Sequence, residues 1–195
     1  RISINEINDI SNRSTTILKL KEKIKLKSCF ICEENSYLYI VSDIGRIVKL
    51  KVKENNFPFM GKLAQGTSVM KLFPGENIIA ALSIKEDEQN KDLILISNKG
   101  SFIKHATKEI KTSKKGELGI LGINIKDSKN DKKRIVACLI NNKYVYIKTN
   151  QDNYKKLENN EINNNCYKKE QKLNLELNNN ELIKSSFSLI TPKEN

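Results

Sequence analysis

The chain has 195 residues but only one histidine, two methionines, three prolines, eight glycines and no tryptophan. A lone His105 cannot build a histidine-rich metal site, and no serine or cysteine recurs beside it as a nucleophile would require. Its expected role is at the surface or in packing. The four cysteines are Cys29, Cys32, Cys138 and Cys166. Cys29-Phe30-Ile31-Cys32 has zinc-like spacing, but no second pair completes a four-ligand site. Positions three apart on a strand also face opposite ways. The cysteines are therefore expected as buried free thiols, and no metal ligand set is assigned. No apolar run approaches the roughly 18 residues needed to span a bilayer. No glycine-rich loop follows a strand and opens a helix, so no ATP site of that kind is expected. No cluster of acid and base groups suggests a hydrolase, and Met60 and Met70 read as core filler.

Negative charge is also scarce. Asp and Glu number 23 against 35 Lys and Arg, for a net charge of +12. Such an excess favours a polyanionic partner, nucleic acid first and an anionic membrane surface second. Lysine greatly outnumbers arginine and asparagine is abundant, which suggests an A+T-rich coding genome. Part of the lysine excess then reflects composition and not binding.

What the chain does have is a repeated hairpin. Tyr37-Leu38-Tyr39-Ile40-Val41 and Arg46-Ile47-Val48-Lys49-Leu50 flank the turn Ser42-Asp43-Ile44-Gly45. Two β-branched runs around a tight Asp/Gly turn predict an antiparallel hairpin. The design returns as Leu93–Ile96, Ser97-Asn98-Lys99-Gly100 and Phe102–Lys104. A third, degenerate copy runs Tyr144–Ile147, Thr149-Asn150-Gln151-Asp152 and Tyr154–Lys156. The period of about 50 residues is that of a blade array.

The connecting segments repeat as well. Gly66–Leu72 matches Gly119–Ile125, and Asn77–Ile84 matches Arg134–Ile140. Leu182–Phe187 echoes Leu26–Phe30. Residues 1–10 read as a strand entering a loop. Ile17–Leu20 and Ile24–Lys27 alternate apolar residues with lysine, as a half-buried strand does, and 28–32 reads as a buried strand core. The expected fold is all-β, with four short antiparallel strands contributed by each unit. One such sheet cannot bury both faces, so units must stack. The expectation is a propeller-like open arc of three to four blades. Residues 1–157 form the first three, and 158–195 hold an Asn-rich insertion with a partial fourth.

The order of strand, Ser-Asp-x-Gly-Arg turn, basic arm, loop, Gly-Thr strand and Ile-Ile-Ala strand resembles the C-terminal β-pinwheel of the DNA gyrase A subunit. Leu38–Val48 and Ala64–Thr67 carry it most clearly, followed by Leu93–Lys104. The resemblance implies a bacterial or plastid type IIA topoisomerase, of which these are the N-terminal blades. It implies sequence-independent binding of double-stranded DNA with bending or wrapping, in support of ATP-dependent supercoiling. The implied partners are a second A subunit and a gyrase B-type ATPase subunit. ATP and Mg would act through other domains, as would the catalytic tyrosine, so this fragment is expected to be non-catalytic. The implied compartment is a bacterial cytoplasm or an apicoplast-like plastid. The family's basic box, Q-R-R-G-G-K-G, falls at Ser11–Ile17, where Arg13 matches and both glycines are absent. This departure implies weakened wrapping and leaves the related topoisomerase IV C subunit open.

The DNA-contacting residues expected from matched positions are Arg13 in the box, Lys62, and Lys111, Lys114 and Lys115 in the corresponding loops. Arg46, Lys49 and Lys104 on the post-turn arms are expected to point outward to the rim. A reading of a different class, a propeller that scaffolds protein partners, requires a neutral or acidic rim and apolar patches.

Overall fold

The computed structural model describes residues 1–8, 16–125, 132–141, 144–158, 162, 167 and 169–187. In chain order the strands begin with β1 (Tyr37–Ser42), β2 (Arg46–Lys51), β3 (Ile78–Ile84), β4 (Asp92–Ser97) and β5 (Ser101–Ala106). They continue with β6 (Ile120–Leu121), β7 (Ile135–Ile140), β8 (Tyr144–Thr149), β9 (Tyr154–Glu158), β10 (Gln171–Lys172) and β11 (Ile183–Phe187). The three expected hairpins are β1–β2, β4–β5 and β8–β9, all antiparallel.

The first two turns are closed the same way. The Gly45 N–H donates to Ser42 O at 2.9 Å, and the Ser42 hydroxyl accepts the Arg46 N–H at 3.2 Å. Ser97 repeats this with Gly100 at 3.2 Å and Ser101 at 3.1 Å. The last turn residue is left-handed in all three copies: Gly45 at φ +84°, Gly100 at +76° and Asp152 at +59°. Asp tolerates this region better than most side chains, which is how the third copy survives without glycine. Gly45 has a second constraint, because a Cβ there would overlap Ile123 Cγ2.

The sheets are ordered β3-β1-β2-β6, β10-β5-β4-β7 and β11-β8-β9. The first arm of each hairpin receives a strand from its own following segment: β3 on β1, β7 on β4 and β11 on β8. The second arm receives a two-residue strand from the unit beyond: β6 on β2 and β10 on β5. The blades are thus exchanged, and a unit does not supply all four strands of its own sheet. Residues 171–187, expected to begin a fourth blade, instead add β10 to the second sheet and β11 to the third. Most of the Asn-rich insertion lies outside the described residues.

Strand alternation sends successive side chains to opposite faces, and in the first two sheets both faces are covered. Leu93 and Leu95 of β4 pack with Tyr39, Val41 and Ile47 of the first blade. Their neighbours Ile94 and Ile96 pack with Val145, Ile147 and Leu157 of the third. The far face of the first sheet carries Ile40, Val48 and Leu50 under Met70. These packed residues reach 0 to 5 % exposure. Hydrophobic burial of about 25 cal/mol per Å² therefore acts mainly between blades, not within one.

The segment before β1 departs from expectation. Its first regular element is a short helix at Asn5–Asn8, and residues 16–35 form no strand. The expected buried core at 28–32 is exposed, Cys29 and Cys32 included, whereas Cys138 is buried. Cys166 lies outside the described residues.

Candidate nucleic-acid interface

Two kinds of basic residue are separated by the fold. Arg46, Lys49 and Lys104 do not reach the rim. They stand on β2 and β5, central strands with both faces covered, so their side chains are buried. Arg46 Nε donates to Glu76 Oε1 at 2.9 Å, and its Nη2 meets Glu76 Oε2 and the Lys71 carbonyl. Arg46 Nη1 donates to Leu118 O at 2.6 Å. The guanidinium therefore joins β2, the Pro74-Gly75 turn and the approach to β6. Burial alone would raise the Glu76 carboxyl, but bonds from Arg46 and the Phe73 N–H hold it below its usual range. Lys49 donates from Nζ to Thr107 O at 2.9 Å, over the Tyr37 ring. Burial pushes the Lys49 ammonium down. Lys104 is 1 % exposed and lies 3.5 Å from Asp92 Oδ2, which also accepts the Tyr167 hydroxyl. Cations taken out of water need such partners, and these three are consumed by them.

The loop lysines are different. Lys62, Lys111, Lys114 and Lys115 are all exposed, as expected. Lys114 and Lys115 ride a turn closed by a glutamate: the Lys114 N–H donates to Glu117 Oε2 at 2.9 Å, with Gly116 left-handed at φ +82°. The same device recurs where the Phe73 N–H meets Glu76 and the Asn178 N–H meets Glu181. Only the middle copy carries lysines. Its loop is tied down at both ends, by the Ser113 N–H to Lys49 O at 2.7 Å and the Gly116 N–H to Val69 O at 3.0 Å. Three ammonium groups thus stand on a braced loop across the first two blades. Lys62 sits on a turn whose next residue, Leu63, is left-handed and donates to Ile17 O at 2.9 Å. Arg13 lies outside the described residues.

That last bond leads to basic residues not singled out from the sequence. Lys19, Lys21, Lys23, Lys25 and Lys27 follow Ile17 and are all exposed. The signal was the strict alternation itself, read as the wet face of a strand and not as a row of cations. A turn from Lys21 to Ile24, with Lys23 at φ +65°, divides the row. His105 takes the packing role, with Nε2 2.7 Å from Gly122 O. The described residues contain no helix long and apolar enough to cross a membrane.

A family model described as the DNA gyrase C-terminal domain, a β-propeller, matches residues 36–85 and 91–132. The matched residues span the first two hairpins, β1–β2 and β4–β5, with β3 and β6. The DNA gyrase A subunit of Clostridium acetobutylicum is 30% identical over 118 residues, covering 59% of this chain and 14% of that protein. Among solved structures, the C-terminal domain of DNA topoisomerase IV superposes with a TM-score of 0.74 at 16% identity, covering 88% of this chain and 52% of that one. A gyrase A C-terminal domain gives 0.53 at 18% identity, covering 81% and 47%. The chain thus spans about half the length of these solved domains. At such identities the superpositions show the fold alone, and both gyrase-type and topoisomerase IV-type domains share it.

Proposed function

We propose that this chain binds duplex DNA without reading its sequence and bends it over the exposed loops of a gyrase-type blade array. The observation that carries this reading is the braced Lys111–Lys115 loop, whose three exposed lysines stand in a chain of net charge +12. Lys62 and the row Lys19–Lys27 supply further exposed cations on the turn and segment joined by the Leu63–Ile17 bond. Lysine ammonium groups neutralise phosphates and release counterions, which gives affinity independent of sequence and sensitive to salt. Bending a short site by 40–90° costs on the order of 1–6 kcal/mol, which several such contacts offset.

In the parent enzyme, built on a gyrase A-type chain, the bent duplex would be presented to the strand-passage gate. A second copy of that chain, a partner ATPase, ATP and Mg belong to that larger assembly, in a bacterial cytoplasm or a plastid. With Arg13 alone matching the basic box, bending with little wrapping is expected. The test is end-to-end energy transfer in a doubly labelled duplex several tens of base pairs long. Transfer should rise on adding the chain, equally for unrelated sequences, and fall as salt is raised. Binding that survives high salt, or that selects one sequence, would sink this reading.

A further inference from the structure

One exposed apolar cluster lies outside all three packed cores. Phe73 is 49 % exposed, Leu118 40 % and Leu121 59 %, and none of them joins a core cluster. The Arg46 guanidinium gathers the three. Its Cζ lies 4.4 Å from the centroid of the Phe73 ring, and its Nη1 donates to Leu118 O at 2.6 Å. Leu121 stands opposite Arg46 in the β2–β6 ladder, where directly opposed side chains share a face.

Phe73 opens a tight turn. The Glu76 N–H donates to Phe73 O at 3.0 Å, and Glu76 Oε2 accepts the Phe73 N–H at 2.8 Å. Pro74 and Gly75 lie between, with Gly75 at φ +78°, and the fixed φ of proline stiffens the tip. The matching turn, Asn178-Asn179-Asn180-Glu181, is closed by the same two bonds at 3.0 Å each and is wholly polar. The turn therefore does not need an aromatic ring at its first position. Stacking on Arg46 covers part of the ring and leaves the rest in water. Cations precede both ends of the cluster. Exposed Lys71 comes just before Phe73, and exposed Lys114 and Lys115 come just before Leu118. The two segments are joined where the Lys71 N–H donates to Glu117 O at 3.0 Å. Of the nearby carboxylates, Glu76 is paired with Arg46, and Glu117 closes the lysine turn.

We propose that Phe73, on its rigid Pro74-Gly75 turn, is an apolar wedge that enters a base step of the bound duplex and partly unstacks it, with Leu118 and Leu121 against the sugars beside it. The proposal rests on the duplex-binding reading and adds the point at which the bend is made. Phe and Leu side chains insert between base pairs in this way, and the unstacked step kinks. The lysines before each end of the cluster favour flanking phosphates over an uncharged protein surface. The step is chosen by its deformability and not by base identity, which agrees with binding that does not read sequence.

The test compares two labelled duplexes several tens of base pairs long, one fully paired and one with a central two-base mismatch that is already unstacked. The 195-residue chain should bind the mismatched duplex about fivefold more tightly or better, because the cost of unstacking is removed. Phe73→Asn gives this turn the residue that its counterpart carries at Asn178, so the melting temperature should hold. It should erase most of the preference and lower end-to-end energy transfer in the paired duplex. The salt slope should stay as in the parent, since no cation is removed. Phe73→Leu, which keeps an apolar tip, should restore both readouts. Equal affinity of the parent for the two duplexes would overturn the wedge. So would a Phe73→Asn chain that keeps the parent's preference and energy transfer. Failure to bind either duplex would instead defeat the duplex-binding reading, and the wedge with it.

Discussion

Replacing Lys111, Lys114 and Lys115 together by glutamine tests the division between exposed and buried cations most directly. All three side chains are exposed, and the bonds that brace the loop come from backbone groups, Glu117 and Gly116, none of which is altered. Surface changes of this kind stay within about 0.5 kcal/mol, so the melting temperature should hold. Each phosphate contact contributes about 0.9 to the slope of log affinity against log salt, so three lost contacts reduce it by about 2.7. Between about 50 and 200 mM salt, the parent should therefore lose about 40-fold more affinity than the variant. Fluorescence anisotropy of a labelled duplex over that range reads this out. Lys49→Met is the control, since Lys49 is buried against Thr107 O and should leave the slope alone. An unchanged slope in the triple variant, or a flattened slope in the control, would refute the assignment.

Other outcomes follow from the same geometry. Arg46→Ala strands the Glu76 carboxylate in the interior and should cost about 3–5 kcal/mol in urea unfolding, with any surviving fold keeping its salt slope. The Glu76 carboxyl is depressed in the folded state, so its contribution is fully present above the unfolded value of 4.5 and fades as pH falls through the folded value. Unfolding midpoints should therefore drop below pH 4.5, and Glu76→Gln should flatten that part of the profile while lowering stability at neutral pH. Phe102→Ala, which removes a ring packed between the second and third blades, should cost about 3–5 kcal/mol. Gly45→Ala combines a positive φ with an overlap against Ile123, and should loosen the first two blades, seen as faster amide exchange at β6.

The hairpins were legible because their signals are local. A β-branched run, a Ser/Asp/Gly turn and a second run are contiguous in sequence, and one left-handed residue closes each turn. The basic loops at Lys62 and Lys111–Lys115 were legible for the same reason, since polar residues around glycine cannot be buried cheaply. The arms misled. Arg46, Lys49 and Lys104 look like wet-face residues by alternation, but β2 and β5, central strands of the first two sheets, have no wet face. Their partners Glu76, Thr107 and Asp92 come from other parts of the chain, and nothing near the arms in sequence announces them. The lysine row before β1 was read as paired strand because Leu18, Leu20, Ile24 and Leu26 alternate well, although the described residues offer those side chains no covering strand.

Composition and periodicity by themselves determined that this chain is an all-β array of repeated hairpins with a strongly basic character. Those properties depend on side-chain spacing and on charge, which are present before any contact forms. Only the tertiary structure decided which cations are spent inside the array and which stay exposed. It also decided that β6 and β10 pair one unit back and that 171–187 add strands to existing blades. Each of these depends on which backbone edge lies next to which. Ladder bonds are the same between any two strands, so the assignment follows from the stacking of whole blades and not from the residues of one.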